Sequence, residues 1–138
     1  MKSSLAAGLV HTRRFTVDAN STIDFMGEEC RVYSTPSLMR DMEYTCRDFL
    51  LEHLDPGEDS VGTRVELDHM APTLLGMWVD ITMTITEVKG RAVSFSLTAR
   101  DPLDSIGKGS HSRFVVDIEQ TKGRLKAKAA KVKAETGQ

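Results

Sequence analysis

Residues 34–55 alternate polar and apolar side chains with the period of an α-helix. At about 100° per residue, one arc of this helix collects Leu38, Met39, Met42, Cys46, Phe49, Leu50 and His53. We predict that Thr35 caps the first turn, because the next residue, Pro36, suits the first position of a helix. We predict that the helix ends at Asp55-Pro56-Gly57. The segment therefore predicts one long helix that packs its apolar arc against a sheet.

The segments on either side of this helix alternate with the period of a β-strand. Residues 11–18 predict a first strand. Residues 61–71 predict a second, whose apolar face holds Val61, Thr63, Val65, Leu67 and His69 and leaves Gly62 on the opposite face. Residues 19–33 lie before the helix and predict a loop or short helix, with apolar side chains placed to cover a site as a lid does.

Three further strands complete the pattern. Residues 77–88 and 92–100 alternate regularly on either side of a glycine-containing turn, which predicts a hairpin. Residues 105–119 predict the last strand, with His111 and Arg113 on one of its faces. Two glycines within this strand indicate a bulge or the close approach of another backbone or ligand.

This order of elements predicts an α+β fold in which an antiparallel sheet wraps around one long central helix. The alanine- and lysine-rich segment from Gln120 onward favours a C-terminal basic helix. We therefore divide the chain into a domain of residues 1–121 and a basic tail of residues 122–138. Such a sheet leaves one strand edge unpaired, which two copies can cover by pairing their sheets. We predict a homodimer and leave open whether two dimers form a tetramer.

The composition fits a single globular domain. The 138 residues are 40% hydrophobic and 28% charged, and two halves would each be too small for a core of their own. Cys30 and Cys46 have neither the spacing of metal ligands nor that of a disulfide framework, so we expect no metal site and a reducing compartment. No stretch resembles a secretory signal or a membrane span, which favours a cytoplasmic protein without a membrane partner.

The net charge of −2 conceals a marked asymmetry. Residues 1–121 carry 12 Lys and Arg against 19 Asp and Glu, whereas residues 122–138 carry six basic residues and one acidic residue. Such a tail is usually a solvated helix, although it can also contact phosphates, acidic lipids or a second subunit. The acidic body and its few aromatic residues argue against specific nucleic-acid binding.

Two side chains are candidates for chemistry. Glu43 lies at the edge of the apolar arc of the predicted helix, where partial desolvation would make its carboxylate a better base. His69 ends the apolar face of its strand and would point toward the cleft between strand and helix. Each also has a structural interpretation, because a glutamate at such an edge can reach solvent and a histidine at the rim of a core is ordinarily hydrogen-bonded.

Several motifs resemble the hot-dog-fold thioesterases related to fluoroacetyl-CoA thioesterase. The similarity spans about residues 30–120 without a gap. The matching motifs are Thr35-Pro36, Glu43, LDPGEDSVGT at residues 54–63, His69 at a strand end, Pro72-Thr73 with Gly76, and GKGSHSRFVVD at residues 107–117. Thr35, Glu43 and His69 stand where that family has its active-site Thr, Glu and His.

The resemblance implies a hot-dog fold and hydrolysis of an acyl-CoA thioester in a cleft between two subunits, without a cofactor. Glu43 would act as general base or nucleophile, His69 would assist proton transfer, and Thr35 would position the water or acyl group. Gly62, through its backbone, and Arg113 stand where the family contacts substrate. The fluoroacetate-specific member carries an aromatic lid ahead of its Thr, whereas the corresponding stretch here offers Phe25, Met26, Glu28, Glu29 and Cys30. We therefore expect a more general short or medium acyl chain.

Other functions stay open on the sequence alone. A non-catalytic hot-dog dimer would bind an acyl-CoA without turnover and would keep that binding after Glu43→Gln. A hydratase on the same fold would act on an enoyl-CoA instead. A thioesterase and a hydratase would both need positive charge to bind the phosphates of CoA. Arg113, Lys108 and the tail lysines are available for this.

Overall fold

A computed structural model describes residues 1–137 of the chain. Five strands and two α-helices follow in the order β1 (Val10–Thr16), α1 (Thr35–Leu51), β2 (Glu58–His69), β3 (Trp78–Lys89), β4 (Ala92–Arg100), β5 (Ser105–Asp117) and α2 (Ile118–Thr136). Two short 3-10 helices, Ala19–Ser21 and Glu28–Cys30, lie between β1 and α1. The predicted basic tail reaches Gln138, which lies outside the described residues.

The strands form one antiparallel sheet in the order β1-β3-β4-β5-β2. The predicted hairpin is confirmed, since β3 and β4 pair with Met83 opposite Leu97. Their alternation also predicted the buried face correctly, which consists of Val79, Ile81, Met83, Ile85, Val93, Phe95, Leu97 and Ala99. β2 lies at one edge, and no other strand of residues 1–137 pairs with its outer side.

Helix α1 supplies the other half of the core. Leu38, Met42, Cys46 and Leu50 lie on its predicted apolar arc and are fully buried. The helix ends at Leu51, before the predicted Asp55. The α+β prediction of a sheet packed around a central helix, the hot-dog arrangement, is therefore confirmed.

The start of α1 corrects one prediction. Ser34, and not Thr35, is the cap, because Ser34 Oγ accepts a hydrogen bond from the amide of Ser37 at 3.2 Å. Thr35 and Pro36 are the first two helical residues. Amides in the first turn have no acceptor within the helix, so the missing amide proton of Pro36 costs no helical hydrogen bond. The Thr35 hydroxyl is consequently available to another partner.

A bulge in β2 corrects a second prediction. The register with β5 shifts between Gly62, which pairs with Arg113, and Arg64. Strict alternation placed Val61 and Thr63 on the inner face, but both are exposed. A Cβ built on Gly62 would instead approach the inner side chain of Arg113. The extra residue thus puts Gly62 on the inner face of β2, the same face as His69.

The end of the chain agrees with the pattern-based predictions. A Cβ on Gly109 of β5 would overlap the carbonyl of Glu66 in β2, which confirms a close backbone approach. Helix α2 confirms the predicted C-terminal helix; Asp117 caps it by accepting from the amide of Gln120 at 2.8 Å. Neither helix of residues 1–137 has the length and apolar character needed to cross a bilayer.

Candidate active site

Thr35 and His69 meet where the start of α1 passes the end of β2. The Thr35 hydroxyl and His69 Nδ1 are 2.8 Å apart and form a hydrogen bond between residues 34 positions apart in the chain. Thr35 is able to make this bond because Ser34 already caps the helix. The structure therefore brings together two of the three residues predicted to be catalytic.

The second ring nitrogen of His69 is buried, and no group of residues 1–137 forms a hydrogen bond with it. The ring packs edge-on against Tyr33, with 6.3 Å between ring centroids. Burial lowers the pKa of His69 below its ordinary value, because the charged ring would lose its hydration. A neutral imidazole with one unpaired nitrogen is able to donate or accept one proton at that atom, depending on which nitrogen shares a proton with Thr35.

A pocket of about 310 Å³ opens beside this pair. Its apolar lining comes from the loop before α1 and from the turn after β2, and consists of Ile23, Val32, Met70, Ala71 and Pro72. A β-bridge between Val32 and Leu74 ties these two segments together. Phe25, also in the segment expected to act as a lid, is 77% exposed and does not line the pocket. An apolar group held here would lie against Thr35 and His69.

Glu43 lies farther along α1 and faces another part of β2. Its half-buried carboxylate has Oε1 3.5 Å from the position of a Cβ on Gly62. That same position is 3.2 Å from His111 Cε1 and 3.5 Å from Arg113 Nη1. Gly62 therefore leaves open a space that a carboxylate, an imidazole and a guanidinium surround.

Arg113 is held firmly inside the protein, with 6% of its surface exposed. Its Nε donates to Ser60 Oγ at 2.7 Å, its Nη2 donates to the Ser60 carbonyl at 2.8 Å, and its Nη1 lies 3.1 Å from His111 Nε2. Burial lowers the pKa of Arg113 while the Glu43 carboxylate opposes that shift, and a guanidinium stays charged in proteins. Arg113 is therefore largely withdrawn from solvent within one chain. Its contacts with substrate and with the phosphates of CoA stay predictions.

One chain keeps these two groups of residues apart. Thr35 and Glu43 are separated by two turns of α1, a rise of about 12 Å. His69 and Gly62 lie seven residues apart on β2, roughly 20 Å along an extended strand. Within one chain, Thr35 thus bonds to His69, whereas Glu43 faces the space beside Gly62 that Arg113 also faces. The catalytic and substrate-binding roles of all five residues stay predictions.

Sequence reasoning missed Ser60 and His111 as parts of the site. The pattern placed His111 and Arg113 on one face of a strand. Two polar residues on an otherwise apolar face were the signal that could have indicated that His111 belongs to the site. The partner Ser60 gave no such signal, because the β2 bulge that aligns the inner faces is not encoded in the alternation.

Comparison with known proteins agrees with this architecture. The family model for fluoroacetyl-CoA-specific thioesterase matches residues 17–119. A fluoroacetyl-CoA thioesterase from Streptantibioticus cattleyicolor is 30% identical over 135 residues, which cover 93% of this chain and 97% of that protein.

Solved structures give the same result. A mutant of the fluoroacetyl-CoA-specific thioesterase superposes with a TM-score of 0.84 at 30% identity, covering 92% of this chain and 99% of that one. A hot-dog-like protein from Thermanaerovibrio acidaminovorans superposes with a TM-score of 0.81 at 27% identity, covering 88% and 91% of the two chains. Because the family model matches residues 17–119 and the relative is 30% identical over 93% of the chain, this chain belongs to the fluoroacetyl-CoA-specific thioesterase family and is a thioester hydrolase with the hot-dog fold.

Proposed function

We propose that the protein hydrolyses an acyl-CoA thioester to a free acid and CoA. The observation that carries the proposal is the Thr35–His69 hydrogen bond beside an apolar pocket, with an unpaired His69 nitrogen buried next to it. The name of the curated relative supports an acyl-CoA substrate. The exposed position of Phe25, outside the pocket, supports a general short or medium acyl chain rather than fluoroacetyl alone.

The proposal includes a homodimer formed through the free edge of β2. This edge strand is 12 residues long, and unpaired edges of such length are prone to pair with another chain. In a two-fold interface between antiparallel strands, residue i meets residue j of the second copy and residue j meets residue i. Pairing centred between Val65 and Glu66 sets Gly62 opposite the partner subunit's His69.

Such pairing would join the two groups that one chain keeps apart. Glu43 faces Gly62 in its own chain, so it would lie near the partner subunit's Thr35 and His69. Each dimer would then contain two composite sites, each with a carboxylate from one subunit and a hydroxyl–imidazole pair from the other. Sites at the boundary between units are common in proteins.

The reaction assigns one task to each of these groups. The thioester carbonyl would lie beside Thr35 and His69, where Thr35 positions the acyl oxygen or the water. Glu43 would take a proton from a water that attacks the carbonyl carbon, or attack that carbon itself to form a mixed anhydride that water then hydrolyses to the free acid. In both cases the C–S bond breaks to release the CoA thiolate. His69 would pass the proton toward that thiolate, and proton transfer of this kind contributes roughly 10²- to 10⁴-fold.

Mixing two inactive variants tests this arrangement. Glu43→Ala and His69→Ala should each lose thiol release from a panel of acyl-CoA thioesters. After co-expression, a mixed dimer retains one composite site with both residues intact, so activity should recover to about a quarter of wild type if subunits pair at random. No recovery would refute the composite site. Tight binding of acyl-CoA without any thiol release by the wild type would refute hydrolysis.

A further inference from the structure

A buried hydrogen-bond network beneath Glu43 has no part in the reaction described above. It joins His111 and Arg113 of β5 to Ser60 and the backbone of Arg64 in β2. His111 is 1% exposed. Buried polar networks with every member paired hold their side chains in one arrangement. The network therefore fixes where the Arg113 charge lies.

The partners of His111 determine its tautomer. Nδ1 lies 2.8 Å from the carbonyl oxygen of Arg64, which can only accept, so the ring proton is on Nδ1. Nε2 then carries a lone pair and accepts a hydrogen bond from Nη1 of Arg113 at 3.1 Å. Burial, with the adjacent Arg113 charge, lowers the pKa of His111 below its ordinary value, which keeps the ring neutral and Nε2 able to accept.

The carbonyl that holds this ring directly follows the bulge of β2. The register with β5 shifts between Gly62 and Arg64 and leaves Thr63 without a partner in the ladder. Arg64, the next residue, pairs with Ser112, and its carbonyl accepts from Nδ1 of His111. The same bulge turns Gly62 inward, so one irregularity opens the space beside Glu43 and orients the group behind it.

We propose that His111 is a positioning residue that fixes the Arg113 guanidinium beside the Glu43 carboxylate, across the space left by Gly62. Glu43 Oε1 and Arg113 Nη1 both lie 3.5 Å from one point, so they are no more than about 7 Å apart. No hydrogen bond or ion pair of residues 1–137 engages the Glu43 carboxylate. The guanidinium thus has a fixed place beside the carboxylate, and the carboxylate oxygens stay free for water or the thioester carbonyl. This inference rests on the proposed role of Glu43.

Other charged groups near Arg113 do not replace it. Cys46 and Arg47 approach it from α1, and Asp59 approaches from β2. Arg47 forms an ion pair with Asp59 at 2.5 Å, which balances both charges. Burial raises the pKa of the Cys46 thiol to about 12, so that group is neutral. His111 is neutral as well, and Arg113 is the cation that faces Glu43 from the sheet.

Substitutions at His111 test this role through the pH profile of hydrolysis. His111→Leu removes both hydrogen bonds, whereas His111→Gln offers a donor and an acceptor on a neutral side chain. We expect the Leu variant to lower kcat about tenfold or more with little change in KM. The acidic limb of its kcat/KM profile should move relative to wild type, because the Arg113 guanidinium no longer has a fixed place beside the Glu43 carboxylate. His111→Gln should recover most of both losses.

The neighbouring Ser112→Ala is the matched control, since that residue faces the opposite side of β5, and it should keep the wild-type profile. A folded His111→Leu variant with wild-type kcat and pH profile would overturn the proposal. If that variant does not fold, Ser60→Ala removes the hydroxyl that receives Nε of Arg113 and should produce the same shift. An unshifted profile for Ser60→Ala would also overturn it.

Nitrogen NMR of the wild-type protein tests the network without reference to turnover. We expect the His111 ring to carry its proton on Nδ1 at neutral pH. A proton on Nε2 would overturn the network itself. If the wild type releases no thiol from any acyl-CoA, the proposed function fails, and the tautomer measurement then decides separately whether His111 orients Arg113.

Discussion

Two adjacent hydroxyl groups at the start of α1 should separate stability from catalysis. Ser34 Oγ accepts a hydrogen bond from the Ser37 amide and caps the helix. Thr35 Oγ1 bonds to His69 Nδ1 at 2.8 Å and takes no part in the cap. Thr35→Val keeps the branched shape of the side chain and removes only the hydroxyl. Ser34→Ala removes the cap together with the hydrogen bond that Ser34 Oγ donates to Ser37 Oγ at 2.7 Å.

Thr35→Val should affect catalysis more than stability, and Ser34→Ala should lower stability and leave catalysis unchanged. The Thr35 side chain is exposed, so water can replace its hydroxyl, and Thr35→Val should lower the free energy of unfolding by no more than about 1 kcal/mol. If the hydroxyl positions the reacting group, the same change should lower kcat/KM by roughly 10²-fold, about 2.7 kcal/mol of transition-state stabilisation. Ser34→Ala should lower the free energy of unfolding by about 1 kcal/mol and leave catalysis by the folded enzyme near wild type.

Two measurements decide the matter. Denaturant unfolding gives the stability of each variant, and initial rates of thiol release from one acyl-CoA give kcat/KM. Thr35→Ser restores the hydroxyl and should regain most of the activity. If Thr35→Val kept kcat/KM within about threefold of wild type, or if Ser34→Ala lost as much activity as Thr35→Val, the catalytic role of the Thr35–His69 pair would be refuted.

Gly62, the two histidines His69 and His111, and helix α2 each allow a further test. A Cβ at Gly62 would lie 3.2 Å from His111 and 3.5 Å from Glu43, so Gly62→Ala should lower kcat/KM about tenfold or more; wild-type thiol release would show that the space is not used. His69 and His111 both have pKa values below the ordinary one. Below about pH 6.5 the unfolded chain therefore binds protons that the folded chain excludes, so the free energy of unfolding should decrease as the pH falls toward about 5. Denaturant titrations should show this slope and a shallower one for His111→Gln, and equal slopes would contradict it. Truncation after Glu119 should leave hydrolysis unchanged, because α2 buries no side chain, and should abolish salt-sensitive retention on a polyanion column; lost hydrolysis would assign α2 to the site or the dimer.

Local patterns predicted the elements that depend on local preferences. The alternation through β3 and β4 identified both strands, their hairpin and their buried face, because the side-chain period of a strand is two wherever one face is covered. The apolar arc of α1 followed in the same way from the helical period. The resemblance of motifs marked Thr35, Glu43 and His69 as candidates by residue type and spacing, without knowledge of which of them lie close together.

Three features of the site were decided only by tertiary structure. Ser34 and Thr35 have similar capping preferences, and Ser34 is the cap because its amide is tied to the carbonyl of Ser21 at 2.8 Å, which directs the chain into the helix. The bulge that turns Gly62 inward depends on pairing with β5. The separation of Glu43 from His69 follows from the rise of a helix and the length of a strand after both have packed. The sequence by itself thus determined which side chains are able to do chemistry, and the packed chain decided which of them touch, because distances between elements depend on pairing and packing rather than on any residue's own preference.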